Sequence, residues 1–390
     1  MDPVTNPFVP GAGTPPPELS GRTRILTQAE IALKRLRAGR PAKSLILVGL
    51  RGVGKTVLLV RIRAIAEEAG YQAVMIEAQE GRSLAALIVP VLRQVLFSLD
   101  ALAGAREKAR RGLRVLRSFV SGLKVKIGEI DVGLSIEPER GVGDSGNLDF
   151  DLGELFLAVG EAARAGGTAV ALLVDELQYL TEAEFGALIV ALHRVAQQNL
   201  PFVLIGAGLP QIQGQAGQSK SYAERLFDFQ PIGALAEADA RAALETPARA
   251  EGARFDEAAL AEILRVTEGY PYYLQQWGYE AWNIAARSPI TRADVDGATL
   301  AAIAALDESF FRVRLDRCTP AEQRYLRALA DLGRGPHGSG EIAAKLKANV
   351  TTVAPVRQKL IQKGMIYSPR HGQTEFTVPL FDDFMKRVMP

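Results

Sequence analysis

The sequence predicts an α/β fold: a parallel sheet of five strands with helices between them, then a helical subdomain and a C-terminal helix-turn-helix with a hairpin. Three observations predict it. Residues 44–60 read SLILVGLRGVGKTVLLV, a short apolar run, a glycine-rich loop with Lys-Thr, and an apolar helix. Further apolar runs at 72–77, 169–174, 202–205 and about 228–232 alternate with helical periodicity, the pattern of a sheet built by right-handed crossovers. From Glu237 to Ala286 the strands stop and helical segments take over.

The stretch 44–60 carries the most chemistry. Gly49-Leu50-Arg51-Gly52-Val53-Gly54-Lys55-Thr56 matches G-x-x-x-x-G-K-[ST], and Val57 continues into the helix. Glycines let the backbone curl so that N–H groups converge on phosphate oxygens, and the helix start favours an anion. Lys55 would bridge the β- and γ-phosphates of ATP, and Thr56 would offer its hydroxyl to Mg²⁺. The fold class is therefore read as a P-loop NTPase. The run 169–174 ends in Asp175-Glu176. After such a loop, this places Asp175 on Mg²⁺ and makes Glu176 the group that polarises the attacking water.

The remaining elements follow in order. Residues 1–18 are rich in Pro and Gly and read as a flexible segment, followed by a helix near 29–36. Residues 83–99 form an apolar helix with Pro90 at a kink. Two opposed charge blocks come next. Residues 101–126 hold eight Lys/Arg, among them Arg110, Arg111, Arg114 and Arg117, against Glu107 alone, and 129–151 hold seven acids against Arg140. Alternation over 123–136 reads as a two-stranded ribbon, so that about 101–150 forms an insertion in the core. A basic helix and ribbon suit a nucleic-acid backbone; equally, the blocks could neutralise one another or form a solvated face. A helix over 151–164 precedes the third strand, and Thr181-Glu-Ala-Glu184 is a capping box opening the next helix.

Helices at 237–245, 256–267 and 271–286, the last opened by Pro271, make the helical subdomain, and 294–310 leads out of it. A second capping box, Thr319 to Glu322, opens a helix to about 332. Helices at 341–346 and 352–363 follow, then a hairpin across Pro369 to Gly372. Three helices and a hairpin in this order read as a winged helix-turn-helix, with Thr352, Arg357, Gln358 and Lys359 on the groove helix and Arg370 and His371 on the wing. The domains expected are 1–18, a core over 19–233, a lid over 234–310 and the winged module over 311–390.

Composition bounds the rest. The chain has 390 residues, 48% hydrophobic, with a formal net charge of +2, so the whole-chain balance names no partner. One cysteine, Cys318, rules out a disulfide framework, and three scattered histidines argue against a Cys/His metal site. No apolar run of 18 residues and no basic-then-apolar leader is read, so a cytoplasmic protein without membrane contact is expected.

With GLRGVGKT at 49–56 and LLVDE at 172–176, the chain resembles AAA+/STAND-type ATPases of the archaeal-ATPase and origin-recognition-complex-like group over most of 19–390. The resemblance implies an ATPase core, a helical lid and a C-terminal winged helix. It places Gly21 and Arg22 beside the adenine, and Gly269 and Pro271 of a G-x-P motif on the nucleotide. It makes Arg225, just before the fifth strand, an arginine finger reaching into a neighbouring subunit of a homo-oligomer. Two departures imply slow turnover. The fourth strand ends in Gly206-Ala207-Gly208 with no polar sensor, so that sensing falls to backbone or to another residue such as Gln178; and Tyr270 and Tyr272 surround Pro271 where an arginine is usual. The function implied is a nucleotide-gated ATPase that binds double-stranded DNA; the alternative is a STAND-type signalling switch whose basic segments dock protein.

Overall fold

The computed structural model describes residues 1–11, 16, 19–122 and 137–389. They divide into two compact units, one of Arg24–Val48 and Leu58–Pro231, the other of Met1–Thr23, Gly49–Val57 and Ile232–Pro390. The ribbon expected over 123–136, with Lys124 and Lys126, lies outside the described residues. Among the described residues no helix is long and apolar enough to cross a membrane.

The first unit is built on the parallel sheet. Its strands are β1 (Ser44–Val48), β2 (Tyr71–Glu77), β3 (Ala169–Asp175), β4 (Phe202–Gly208) and β5 (Phe227–Pro231), in the order β2-β3-β4-β1-β5. Every residue of β3 and β4 is buried, which is why both read as unbroken apolar runs rather than alternating ones. Since all pairings are parallel, the carboxyl ends of β1 and β3 flank that of β4, the side of an open α/β sheet where ligands bind. The helices Leu84–Asp100, Arg106–Gly122, Leu148–Ala165 and Glu182–Gln197 pack in succession. Pro90 lies inside the first of them. Close approach needs small residues: a Cβ on Gly112 would lie 2.5 Å from Leu96 Cδ2. The helix Gln211–Ser219 was not evident in the sequence.

In the second unit the helices after β5 are Glu237–Ala250, Glu257–Thr267, Pro271–Ile284 and Arg292–Ala305. Thr291 caps the last with a capping box, so it starts earlier than the sequence reading, and it runs on through a π-helical turn, Leu306–Phe311, into Arg312–Leu315. The helices Pro320–Asp331, Ser339–Lys345 and Val350–Gln362 follow, with β6 (His337–Gly338), β7 (Ile366–Tyr367) and β8 (Gln373–Phe376) in a small sheet ordered β6-β8-β7. A final helix, Phe381–Val388, escaped the sequence reading, although Phe381, Phe384 and Met385 sit at helical spacing with acids first and bases last. An aromatic cluster joins these helices to the C-terminal ones. Tyr272 stacks on Phe310 at 4.7 Å between ring centres, and Phe311 contacts Phe381 and Phe384.

The expectation of a flexible 1–18 needs correction for Met1–Gly11. Pro and Gly deny that stretch a regular element, but Phe8 is 1% exposed and fills a notch on the helix Pro271–Ile284. The notch exists because Gly278 has no side chain; a Cβ there would lie 2.7 Å from Phe8 Cδ1. Asn6 Nδ2 donates to the Tyr279 carbonyl (3.1 Å), Val9 N–H donates to Gln275 Oε1 (3.1 Å), and Trp282 Nε1 donates to the Asp2 carbonyl (2.8 Å). Phe8→Ala removes the one large apolar anchor. Limited proteolysis with a nonspecific protease should then cleave within 1–11 at least about tenfold faster than in the wild type, while the rest of the chain stays resistant. An unchanged cleavage rate would show that Phe8 does not hold the segment.

Candidate functional site

The glycine-rich loop follows β1, and its backbone could be made by no other residues. Gly52 and Gly54 have φ of +82° and +92°, left-handed conformations that favour glycine. Gly49 abuts the Ile232 carbonyl so closely that a Cβ would lie 2.1 Å from its oxygen. The helix Lys55–Glu68 starts at the end of the loop and directs its first backbone N–H groups back toward it. Lys55 is buried, and its Nζ donates to the carbonyls of Gly49 (3.0 Å) and Leu50 (2.8 Å). This is a cradle of donors and positive charge, and it fits a polyphosphate.

The loop is held by residues far from it in sequence. Arg22, itself buried, donates from Nη2 to the carbonyls of Val53 (3.2 Å) and Gly233 (2.6 Å); burial lowers its pKa and the nearby Asp239 carboxylate opposes that. Tyr272 N–H donates to the Gly52 carbonyl (3.2 Å), and Tyr270 Oη donates to the Arg51 carbonyl. From the C-terminal module, the Thr377 carbonyl accepts from Arg51 N–H (3.3 Å), and the Gly364 carbonyl accepts from Arg51 Nε (3.4 Å). The sequence held no signal for these last contacts, because nothing local links residue 51 to 364 or 377.

Beside the loop lies a cavity of about 340 Å³. Leu50, Val53, Val266, Tyr270, Tyr273, Phe376 and Val378 give it apolar walls, and Glu268, Arg334 and Asp382 give it a polar rim. Arg334 pairs with Glu268 (2.6 Å) and Asp383 (3.3 Å). Burial and the adjacent Asp383 charge push the Asp382 carboxyl above the usual range. Gly269 and Pro271 flank Tyr270; Gly269 has φ +70°, and a Cβ there would lie 2.5 Å from the Leu235 carbonyl oxygen. Gly21 has φ +72° and immediately precedes Arg22, with Asp239 against it.

In the sheet unit, β3 delivers Asp175, 3% exposed, followed by Glu176. Asp175 Oδ1 accepts from Glu176 N–H (2.8 Å), and the Asp175 carbonyl accepts from Ala78 N–H (3.0 Å). Glu176 is left-handed, φ +54°, an uncommon conformation for a residue with a side chain. Arg225 is exposed on the short helix Ala223–Leu226 that leads into β5. Among the described residues no group of three or more His, Cys, Asp or Glu could hold a metal ion unaided. Asp175 offers the kind of donor Mg²⁺ takes, one or two protein oxygens beside phosphates and water.

The residues read as nucleic-acid contacts are more occupied than the sequence implies. Arg110 pairs with Asp100 (3.1 Å), Arg111 with Glu139 (3.1 Å) and Glu161 (3.2 Å), and Arg114 with Glu139 (3.8 Å). Much of the basic block is thus balanced within its own unit. Arg357 is engaged inside its own module: Nε donates to Thr374 Oγ1 (2.8 Å), and Nη2 donates to Ser368 Oγ (2.9 Å) and the Gln373 carbonyl (2.8 Å), which ties its helix to the hairpin. Thr352, Gln358, Lys359, Arg370 and His371 are exposed.

The glycine loop between strand and helix, with the sheet order above, decides the architecture. The fold is that of a P-loop NTPase. Residues 18–205 match the AAA ATPase domain family, and residues 308–385 match a domain of unknown function (DUF8462). The Walker-type ATPase PABY2304 of Pyrococcus abyssi is similar in structure, with a TM-score of 0.59 at 18% identity, covering 96% of this chain and 97% of that one. The Aeropyrum pernix ORC1 protein in complex with DNA aligns at TM-score 0.48 and 16% identity over 95% of this chain and 94% of that one. The Thermotoga maritima RuvB Holliday junction branch migration motor aligns at 0.44 and 16% over 94% and 95%. No curated protein matches the chain.

The contact at Gly49 gives a direct check of the P-loop NTPase geometry. Gly49→Ala forces either the loop or the 232 segment to move, and should lower stability by about 2 kcal/mol or more. Urea unfolding followed by circular dichroism measures this; a wild-type midpoint would show that the two backbones are not in contact.

Proposed function

We propose that the chain is a slowly hydrolysing ATPase switch whose C-terminal module responds to the nucleotide at the P-loop and binds double-stranded DNA. One observation carries the switch reading. The loop meant to grip phosphate is hydrogen-bonded through Arg51 to the backbone of Thr377 and Gly364. A ligand that reorders the loop therefore has a differential effect on the module, which is what a ligand-driven shift of population requires. In this reading Lys55 contacts the β- and γ-phosphates, and the loop backbone from Gly49 to Val57 surrounds them. Thr56 and Asp175 hold Mg²⁺, which when bound neutralises phosphate charge. Glu176 polarises the attacking water. Gly21, Arg22, Gly269 and Pro271 frame the base, for which the apolar cavity is a suitable bed. Arg225 reaches the γ-phosphate of a neighbouring copy in a homo-oligomer.

Support for slow turnover is the absence of a polar side chain at Gly206, Ala207 and Gly208, and of an arginine between Tyr270 and Tyr272. Support for a winged helix is the succession of three helices and a three-stranded sheet, with Thr352, Lys359 and Arg370 exposed on its second paired helix and hairpin. A cytoplasmic location fits the single Cys318, whose thiol is buried and pushed up to about 11, chiefly by that burial. A second reading, a switch that docks protein instead of DNA, is favoured by the ion pairs of Arg110, Arg111 and Arg114 and by the internal bonds of Arg357.

Two measurements test the proposal. Glu176→Gln should retain ATP binding but lose about a hundredfold in turnover, the scale of a general-base contribution, while Lys55→Ala should lose affinity and turnover together. Wild-type turnover in Lys55→Ala would remove the ATPase reading. For the partner, anisotropy of a labelled duplex should show binding that depends on an ATP analogue and falls with salt at a log–log slope of about −5, as expected for about six neutralised phosphates. Binding that ignores both nucleotide and salt would leave the protein-docking switch.

A further inference from the structure

We infer that Gln178 is the positioning residue for Glu176 and takes the place of the polar side chain that the end of β4 lacks. The inference rests on the ATPase reading above, and the observations behind it all lie within the sheet unit. Gln178 sits in the single helical turn Leu177–Tyr179 that follows β3, and its side-chain amide bridges two elements. Its Oε1 accepts from the backbone N–H of Leu209, just beyond β4, at 3.1 Å. Its Nε2 donates to Glu176 Oε2. Chemistry settles which end is which: a backbone N–H requires an acceptor and a carboxylate requires a donor, so only one orientation of the amide satisfies both.

Two further features are explained by the same bridge. The left-handed backbone of Glu176, φ +54°, reverses the chain so that a residue two positions later points back at its carboxylate. The Tyr179 N–H to Glu176 carbonyl bond (3.0 Å) closes that turn. The glycines of β4 make room for it: a Cβ on Gly206 would lie 2.4 Å from Leu177 Cδ1 and 2.8 Å from Ile46 Cδ1, and one on Gly208 would lie 3.3 Å from Gln178 Oε1. A polar side chain at the end of β4 and the bridging glutamine therefore compete for the same volume. This chain uses the glutamine, which ties the Glu176 carboxylate to the β4 terminus and so sets its orientation. A general base must be oriented to act, and misplacement by about an ångström costs about a hundredfold.

Gln178→Glu separates the two ends of the bridge. It keeps an oxygen toward Leu209 N–H, hence the packing, but replaces the donor to Glu176 with a second carboxylate. The expected result is a fall in kcat of at least about tenfold with KM for ATP within about twofold of wild type, since the residue acts on the base and not on ATP binding. Gln178→Met, close in size and neutral, should show the same split and decides the matter if the added charge of Gln178→Glu perturbs folding. In a Glu176→Gln background, neither change should reduce the residual turnover further. Wild-type kcat in a folded Gln178→Glu or Gln178→Met overturns the inference while leaving the ATPase reading intact. An equal loss in the Glu176→Gln background also overturns it, because Gln178 would then act through another group. A wild-type chain that does not hydrolyse ATP, or a Glu176→Gln variant with wild-type turnover, refutes the ATPase or base reading itself and the inference with it.

Discussion

The backbone of Arg51 and Gly52 is where this chain's second unit is tied together. Tyr272 N–H bonds the Gly52 carbonyl from the lid, and the Thr377 and Gly364 carbonyls accept from Arg51 in the C-terminal module. The aromatic cluster of Tyr272, Phe310, Phe311, Phe381 and Phe384 then packs lid and module against each other. Tyr270, Tyr272, Gly364 and Thr377, from three distant segments, fix the glycine-rich loop, and Arg22 adds one more hydrogen bond to it, at the Val53 carbonyl. Each bond is worth only about 1 kcal/mol, but they share one short loop, so a ligand that rearranges the loop affects all of them.

Missing side chains matter as much as those present. Gly49, Gly206, Gly269 and Gly278 each face a backbone or side-chain atom within 3 Å of where a Cβ would be. Two consequences are functional in kind. Gly49 lets the phosphate loop lie directly on the 232 segment, and Gly206 lets Leu177 and Gln178 fold over the end of β4.

The charge blocks illustrate a limit of pattern reading. Eight basic residues in 101–126 look like a nucleic-acid surface when counted along the chain. In space, Arg110, Arg111 and Arg114 meet Asp100, Glu139 and Glu161. Most of these pairs are partly exposed, so each contributes little stability.

What the sequence by itself determined is what depends on neighbours along the chain. The strand, GLRGVGKT and helix are contiguous, LLVDE is contiguous, and the capping boxes at Thr181 and Thr319 need only four residues each. Buried parallel strands announce themselves because both faces must be apolar. The tertiary structure alone decided the rest, since each remaining feature joins residues that are remote in sequence. Phe8 looked like part of an unstructured tail because its notch is at Gly278. Arg357 looked like a groove contact because its partners, Ser368, Gln373 and Thr374, lie across a turn whose register the sequence does not specify. Gln178 was legible as a candidate for the sensing that the end of β4 lacks; that its amide reaches both Glu176 and Leu209 follows from β4 lying next to β3, and strand order is set by packing, not by any local signal.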